Sequence, residues 1–133
     1  MGIALMTASL LDSNVIVDYL NGEADSGFLR RVEDALIGNS VVSVITHIEV
    51  LGWRGHTESS RADAETLLEN LGTAYLTKAV VKQTIELRSR YVIKLPDAII
   101  AATALVAGLP LMTRNIVDFK RIHELTVIDP YAG

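Results

Sequence analysis

Short apolar runs rich in β-branched residues alternate along this chain with segments that have helical spacing of apolar side chains. The clearest helical periodicity covers residues 78–92, and an apolar segment from Leu95 to Ala107 predicts a buried helix. Strands that alternate with helices form a parallel sheet with helices on both faces. The sequence therefore predicts an α/β fold, an α/β/α sandwich around a central parallel sheet. The predicted strands are 9–12, 41–44, 74–76, 109–113 and 126–128.

Capping residues predict where the remaining helices begin and end. Thr46 is expected to cap a helix that carries Glu49 at the spacing of a capping box. Ser59 or Ser60 is expected to cap a helix that reaches about Leu71, and Gly108 follows the buried helix as a stop signal. Further helices are predicted over 14–20, 25–37 and 118–122.

Four acidic residues follow predicted strands or open the next helix, namely Asp12, Glu49, Asp97 and Asp118. In an open α/β sheet these points lie along the carboxyl edge of the strands, where ligands bind. Carboxylates gathered at one edge repel one another unless a cation holds them, and hard oxygen ligands select Mg²⁺ or Mn²⁺. The pattern predicts a metal-dependent site that handles phosphate.

Each of these acids also has an interpretation without catalysis. Asp12 could end a strand, and Glu49 could be half of a capping box. Asp97 could be an acid that the dipole favours in the first turn of a helix by about 0.3–1 kcal/mol, and Asp118 could cap the short helix that follows it. Taken together these interpretations need four acids at one sheet edge by coincidence, which favours a site. Other acids lack this placement and are predicted to lie at the surface: Asp18, Glu23 and Glu124.

Composition narrows the class of protein. The 133 residues carry a net charge of −4, which is unusual for a protein that grips nucleic acid through a broad basic face. A metal held by carboxylates could still meet phosphate directly. The absence of cysteine excludes disulfides, zinc–thiolate sites and cysteine nucleophiles, and fits the predicted cytoplasmic location. Residues 1–6 show no secretory signal, and the apolar stretch 98–112 is shorter than the roughly 20 residues of a membrane span.

Other catalytic constellations are weak in this sequence. It has no G-x-G-x-x-G, no P-loop lysine motif and no G-x-S-x-G elbow. His47, His56 and His123 are scattered, and we expect structural or surface roles for them. His47 lies two residues before Glu49, on a different helix face, so we expect it to border the site.

The acids lie within four longer blocks: LDSN at 11–14, VITHIE at 44–49, KLPDAIIAATA at 94–104 and TRNIVDF at 113–119. In this order and spacing the blocks resemble the signature blocks of PIN-domain nucleases. They are most similar to those of VapC toxins from type II toxin–antitoxin pairs. The resemblance covers nearly the whole chain, and the third and fourth blocks are the most specific.

The resemblance implies a single PIN domain over residues 1–133 and a Mg²⁺- or Mn²⁺-dependent endoribonuclease. Asp12 and Asp97 would be the central metal ligands, while Glu49 and Asp118 would hold a second metal or orient the attacking water. Two bound cations could then support an in-line attack on a phosphodiester. Residues that would position these carboxylates or contact phosphate are Asn14, Thr113 and Asn115, and Lys94 and Arg114 are available for phosphate contact.

The resemblance also implies partners. Family members form homodimers, and a VapB-like antitoxin places a C-terminal segment in the active-site groove. An antitoxin Arg among the acids would block the site, and the apolar contacts would come from 15–20 and 48–53, including Trp53. Two alternatives stay open: a PIN-fold nuclease of RNA processing or DNA repair, and a catalytically silent binding module. His47 stands where relatives often carry another polar or basic residue.

Overall fold

A computed structural model describes residues 8–131, and it contains a five-stranded sheet in which every pairing is parallel. The strands are β1 Leu10–Leu11, β2 Val41–Ser43, β3 Gly72–Ala74, β4 Leu111–Met112 and β5 Val127–Ile128. Their order in the sheet is β3-β2-β1-β4-β5, so the chain winds outwards from β1 in one direction and later from β4 in the other. The topological switch point therefore lies between β1 and β4, where a crevice opens at the carboxyl ends of the strands.

Helices cover both faces of the sheet and divide the apolar core into two clusters. Successive strand residues point to opposite faces, so Leu10 and Leu111 join one cluster while Leu11 and Met112 join the other. The helices are α1 Ser13–Leu20, α2 Ser26–Ile37, α3 Val44–Leu51, α4 Glu58–Glu69, α5 Lys78–Arg90, α6 Leu95–Ala107 and α7 Ile116–Phe119. The first cluster packs against α5 and α6, and the second packs against α1 to α4. The predicted α/β/α sandwich is confirmed.

The predicted start of α3 was wrong. Ser43 is the N-cap, and its hydroxyl accepts a hydrogen bond from the Ile45 N–H at 3.0 Å. Thr46 lies buried inside the helix, and Glu49 is not half of a capping box. The cause is that β2 runs into α3 without a loop, so the last strand residue also caps the helix.

The predicted cap of α4 was also displaced. Thr57 is the N-cap, and Ser60 is the reciprocal partner of its capping box three residues later. α7 likewise begins at Ile116 rather than at residue 118, with Asn115 in the N-cap position. The strand predicted over 74–76 instead covers Gly72–Ala74, in register with β2.

The buried helix α6 begins and ends where the sequence predicted. Pro96 occupies its first turn, and Gly108 ends it in the left-handed conformation at φ 68°. Among residues 8–131, no helix has both the length and the apolar character needed to cross a bilayer. Residues 1–6, for which no secretory signal was predicted, lie outside the described residues. The single domain over 1–133 stays a prediction.

Candidate active site

Asp12 occupies the centre of the crevice, directly after β1 and in the N-cap position of α1. Its backbone N–H donates to the Met112 carbonyl at 2.9 Å, which ties this residue to the end of β4. Its Oδ1 accepts from the Ser13 N–H at 2.8 Å, and its Oδ2 accepts from the Thr113 hydroxyl at 2.8 Å. The side chain is therefore fixed, and Asp12 is only 5% exposed.

Polar groups after β4 complete this end of the crevice. Thr113 is fully buried, and its Oγ1 also accepts from the Asn115 N–H at 3.0 Å. Asn14 bridges the two strand ends, because its Nδ2 donates to Asp12 Oδ2 at 3.2 Å and its Oδ1 accepts from the Arg114 N–H at 3.1 Å. The switch point thus surrounds Asp12 with hydrogen bonds between residues that lie about 100 positions apart in the sequence.

Glu49 reaches the same crevice from α3. The Ser13 hydroxyl donates to its Oε1 at 2.6 Å, and Ser13 Oγ also lies 2.9 Å from Thr46 Oγ1. Thr46 precedes Glu49 by three residues, so both side chains lie on one face of the helix. Sequence reasoning missed this pair of hydroxyls as positioning groups, although the spacing of Thr46 and Glu49 carried the signal.

Asp97 and Asp118 lie in the first turns of α6 and α7. Asp97 is half-buried, whereas Asp118 is exposed and accepts a hydrogen bond at 3.0 Å from the Asn115 amide nitrogen. The capping interpretation of Asp118 is wrong, since Asn115 holds the N-cap position and Asp118 lies within the helix.

The acids perturb one another. Burial raises the pKa of Asp12, and the Asp97 and Glu49 carboxylates raise it further, against hydrogen bonds from Thr113 and Ser13 that lower it. Burial also raises the pKa of Asp97, with additional contributions from Glu49 and Asp118, while the nearby Lys94 charge opposes the rise. The structure thus brings the predicted acids into one electrostatic cluster.

The carboxylates do not converge as a closed ligand cage. Within residues 8–131, no three Asp, Glu or His side chains lie close enough together to hold one ion. Instead, Glu49 is directed towards Ser13 and Asp118 towards Asn115. These hydrogen bonds hold the two carboxylates in different directions, and the four carboxylates are an all-oxygen set of the kind that Mg²⁺ and Mn²⁺ prefer.

Asp18 and Tyr131 lie outside the predicted site but hold Arg114, which belongs to the turn after β4. Arg114 Nη1 donates to both carboxylate oxygens of Asp18, at 2.8 and 2.9 Å. The Tyr131 hydroxyl donates to Asp18 Oδ2 at 2.9 Å, and the Tyr131 ring stacks on Phe28 with centroids 4.7 Å apart. Asp18 is therefore a structural anchor for the turn after β4 rather than a free surface acid.

The histidines have other partners. His47 Nε2 lies 2.7 Å from the Thr73 hydroxyl on β3. His56 lies between the Val50 carbonyl and the Ser60 hydroxyl, at 2.7 and 2.8 Å, with Trp53 edge-on to its ring. His123 is exposed. None of these contacts joins a histidine to the acids.

The chain is similar to a known protein family and to a known ribonuclease over most of its length. The family model for the PIN domain matches residues 9–125. Ribonuclease VapC1 of Methanocaldococcus jannaschii is 28% identical over 121 residues, which cover 86% of this chain and 81% of that protein.

Solved structures are similar over almost the whole chain. A toxin–antitoxin complex from Klebsiella pneumoniae contains a chain that is 30% identical with a TM-score of 0.75, and the match covers 95% of this chain and 100% of that one. The structure of VapBC-1 from nontypeable Haemophilus influenzae contains a chain that is 28% identical with a TM-score of 0.78, with the same coverage of 95% and 100%.

Proposed function

The chain belongs to the PIN domain family, and from this premise we propose that it is the endoribonuclease toxin of a VapBC-type toxin–antitoxin pair. It is a nuclease of the hydrolase class, and its reaction is the hydrolysis of RNA phosphodiester bonds. The observation that carries the proposal is a buried Asp12 at the switch point of a parallel sheet, within electrostatic range of Asp97 and Glu49. Its action in the cytoplasm stays a prediction from the sequence.

We propose Mg²⁺ or Mn²⁺ as the cofactor. The donor set fits such an ion, because the charged donors of the crevice are the carboxylates of Asp12, Glu49, Asp97 and Asp118, and the sequence contains no cysteine. Burial raises the pKa values of Asp12 and Asp97, and repulsion from neighbouring carboxylates raises them further; a bound cation would offset both costs. When bound, a divalent cation polarises a phosphoryl oxygen and lowers the pKa of water. The residues proposed to hold it are Asp12, Glu49, Asp97 and Asp118.

The surrounding polar groups would set the geometry of these acids. Thr113 and Asn14 hold Asp12 Oδ2, and the Ser13 hydroxyl holds Glu49. Asn115 lies in the turn after Thr113, and its side-chain amide donates a hydrogen bond to Asp118. Positioning partners of this kind are typically worth 10–100-fold in metal affinity or activity.

Cleavage by antitoxin-free protein tests the nuclease and its cofactor together. A mixed RNA pool is incubated with Mg²⁺, with Mn²⁺ and with EDTA, and the products are resolved on a gel. Asp12→Asn and Asp97→Asn should each lose on the order of 100-fold or more in rate. The amide at position 12 can still accept from the Ser13 N–H, so the helix cap is retained.

Asp34→Asn is the matched control, since Asp34 is an exposed acid on α2 that lines neither side of the crevice. It should cleave at the wild-type rate. Undiminished cleavage in EDTA would overturn the metal proposal, and undiminished cleavage by both crevice variants would overturn the site.

The toxin role adds two partners to the proposal. An apolar groove of about 230 Å³ beside Glu49, lined by Val17, Leu20 and Trp53 among others, supports docking of an antitoxin segment. Val81 and Ile85 lie one turn apart on α5 and are exposed, which supports a homodimer that light scattering can measure.

Growth arrest on expression of this chain alone would favour the toxin over a nuclease of RNA processing or DNA repair.

A further inference from the structure

The crevice has two flanks of opposite character. On one side, the apolar groove of Val17, Leu20 and Trp53 also carries the acids Glu49 and Asp63. On the other side lies a cavity of about 480 Å³ that borders Asp97 and Asp118. We call this second cavity the basic groove, because its lining includes Arg88, Lys94 and Arg121.

Three separate elements supply these cations. Arg88 comes from the last turn of α5, Lys94 is the N-cap residue of α6, and Arg121 follows α7. Arg121 is fixed in place, because its Nε donates to the Asp118 carbonyl at 2.9 Å and its Nη2 donates to the Val92 carbonyl. The groove therefore has one rigid positive charge beside an acid of the site.

The other two cations are available to an external anion. Arg88 and Lys94 are exposed, and among residues 8–131 neither has a salt-bridge partner. Arg114 differs, since its Nη1 already donates to both carboxylate oxygens of Asp18 and the ion pair offsets its charge. Of the two cations that the sequence offered for phosphate contact, the structure favours Lys94.

We propose that the basic groove binds the phosphodiester backbone of the RNA on one side of the scissile bond, with Arg88 and Lys94 pairing with phosphates. This inference rests on the proposed ribonuclease function. An RNA strand that reaches Asp97 and Asp118 must leave over one flank, and Glu49 and Asp63 repel phosphate on the other. In a chain of net charge −4, local cations in a cleft supply the attraction that the whole surface does not.

Metal-free binding tests the groove separately from catalysis. The probe is a fluorescein-labelled single-stranded RNA of mixed sequence, titrated with antitoxin-free protein in EDTA while anisotropy is recorded at several salt concentrations. The double variant Arg88→Glu/Lys94→Glu should bind about tenfold more weakly than wild type. The slope of log K against log salt should become shallower by about 0.7 for each lost phosphate contact.

Arg30→Glu/Arg61→Glu is the matched control, because it changes the net charge equally at exposed positions on α2 and α4 that line neither groove. It should retain the wild-type affinity, and thermal melts should show that both double variants fold. Equal loss in the two double variants would overturn the proposal in favour of general charge repulsion. No metal-free binding by wild type would also overturn it, as would loss of antitoxin binding with RNA affinity retained. Failure of the ribonuclease proposal would appear separately, as absent cleavage with Mg²⁺ or Mn²⁺.

Discussion

At the scale of single residues, Asp12 shows how a crevice can hold a carboxylate that costs stability. Burial disfavours its charge, and Asp97 and Glu49 add repulsion. The Ser13 N–H and the Thr113 hydroxyl act in the opposite direction, because hydrogen bonds favour the charged form. The pKa remains raised on balance, so these bonds offset only part of the cost. A residue kept at such a cost is better explained by chemistry than by its role as a helix cap.

Asp97 offers the cleanest test of that cost. We predict that Asp97→Asn does not lower the free energy of unfolding of the metal-free protein at pH 7. This free energy should rise if the cost of burying the charge, together with repulsion from Glu49 and Asp118, exceeds the helix-dipole benefit. That benefit is about 0.3–1 kcal/mol for an acid in the first turn. Chemical denaturation of both proteins in EDTA measures the difference.

The raised pKa of Asp97 determines how this difference in stability changes with pH. Because the pKa of Asp97 is raised on folding, the folded state binds more protons than the unfolded state between the two pKa values. The penalty is therefore fully present above the folded pKa and disappears as the pH falls towards the unfolded value of about 3.9. Any gain from Asp97→Asn should shrink over that range. A clear loss of stability at pH 7 would show that Asp97 is mainly a structural acid.

At the scale of elements, the sequence predicted the order of strands and helices because each signal is local. The periodicity of α5 and the αL glycine that ends α6 both depend on neighbouring residues. The start of α3 could not be predicted in the same way. Val44, Ile45 and Thr46 are β-branched and favour a strand, yet they are helical because Ser43 ends β2 and caps α3 at once.

In the candidate site, too, features with a local sequence signal were predictable, whereas long-range contacts were not. The acids were predictable because they follow strands whose carboxyl ends meet at one edge. The anchor formed by Asp18, Arg114 and Tyr131 was not, since its members lie 96 and 113 residues apart and no local pattern joins them. Only the approach of α1 to the turn after β4 and to the C-terminal segment reveals it.

This anchor should stabilise the turn between β4 and α7. Burial and the Asp18 carboxylate raise the pKa of the Tyr131 hydroxyl, so it stays a donor across the physiological range. Asp18 is only 15% exposed and receives two bonds from one Arg114 nitrogen. Such partly buried, charge-assisted contacts are stronger than those of exposed pairs.

We predict a double-mutant cycle with unequal couplings. Asp18→Asn and Arg114→Ala, measured singly and together by urea denaturation, should couple by about 1 kcal/mol or more. The exposed pair Arg90 and Glu124, whose atoms lie 2.9 Å apart, is the matched control and should couple less. Equal couplings would mean that Asp18 contributes no more than a surface ion pair. Cleavage by Asp18→Asn should also fall, since Thr113 and Asn115 flank Arg114.

At the scale of the whole molecule, strand order determines where the crevice lies and what surrounds it. The helices after β1 and β4 cover opposite faces, so the acids lie between an apolar groove and a basic groove. The ligands proposed for these surfaces differ in the same way. RNA phosphates suit the basic groove, and an amphipathic peptide suits the apolar one. Inhibition can then combine apolar docking with a cation placed among the acids.

Trp53 should be the principal apolar contact for the antitoxin. It is 60% exposed, and its ring packs directly over Gly55, so a large apolar surface is held ready for a partner. We predict that Trp53→Ala weakens antitoxin binding on the order of tenfold or more, as measured by calorimetry with the product of the adjacent gene. Ile37→Ala, at a position that is 62% exposed on α2 and outside the groove, should bind normally.

The antitoxin should complete inhibition with a guanidinium among the acids. Arg pairs with carboxylates bidentately, so one side chain could neutralise Asp12 and its neighbours and exclude RNA at the same time. Co-expression of the antitoxin should rescue growth, and changing its groove-facing Arg to Glu should weaken rescue because carboxylate would then face carboxylate. A neighbouring gene product that neither binds nor protects would contradict the toxin role. The nuclease could still stand in that case, because cleavage depends on Asp12 and Asp97 rather than on the partner.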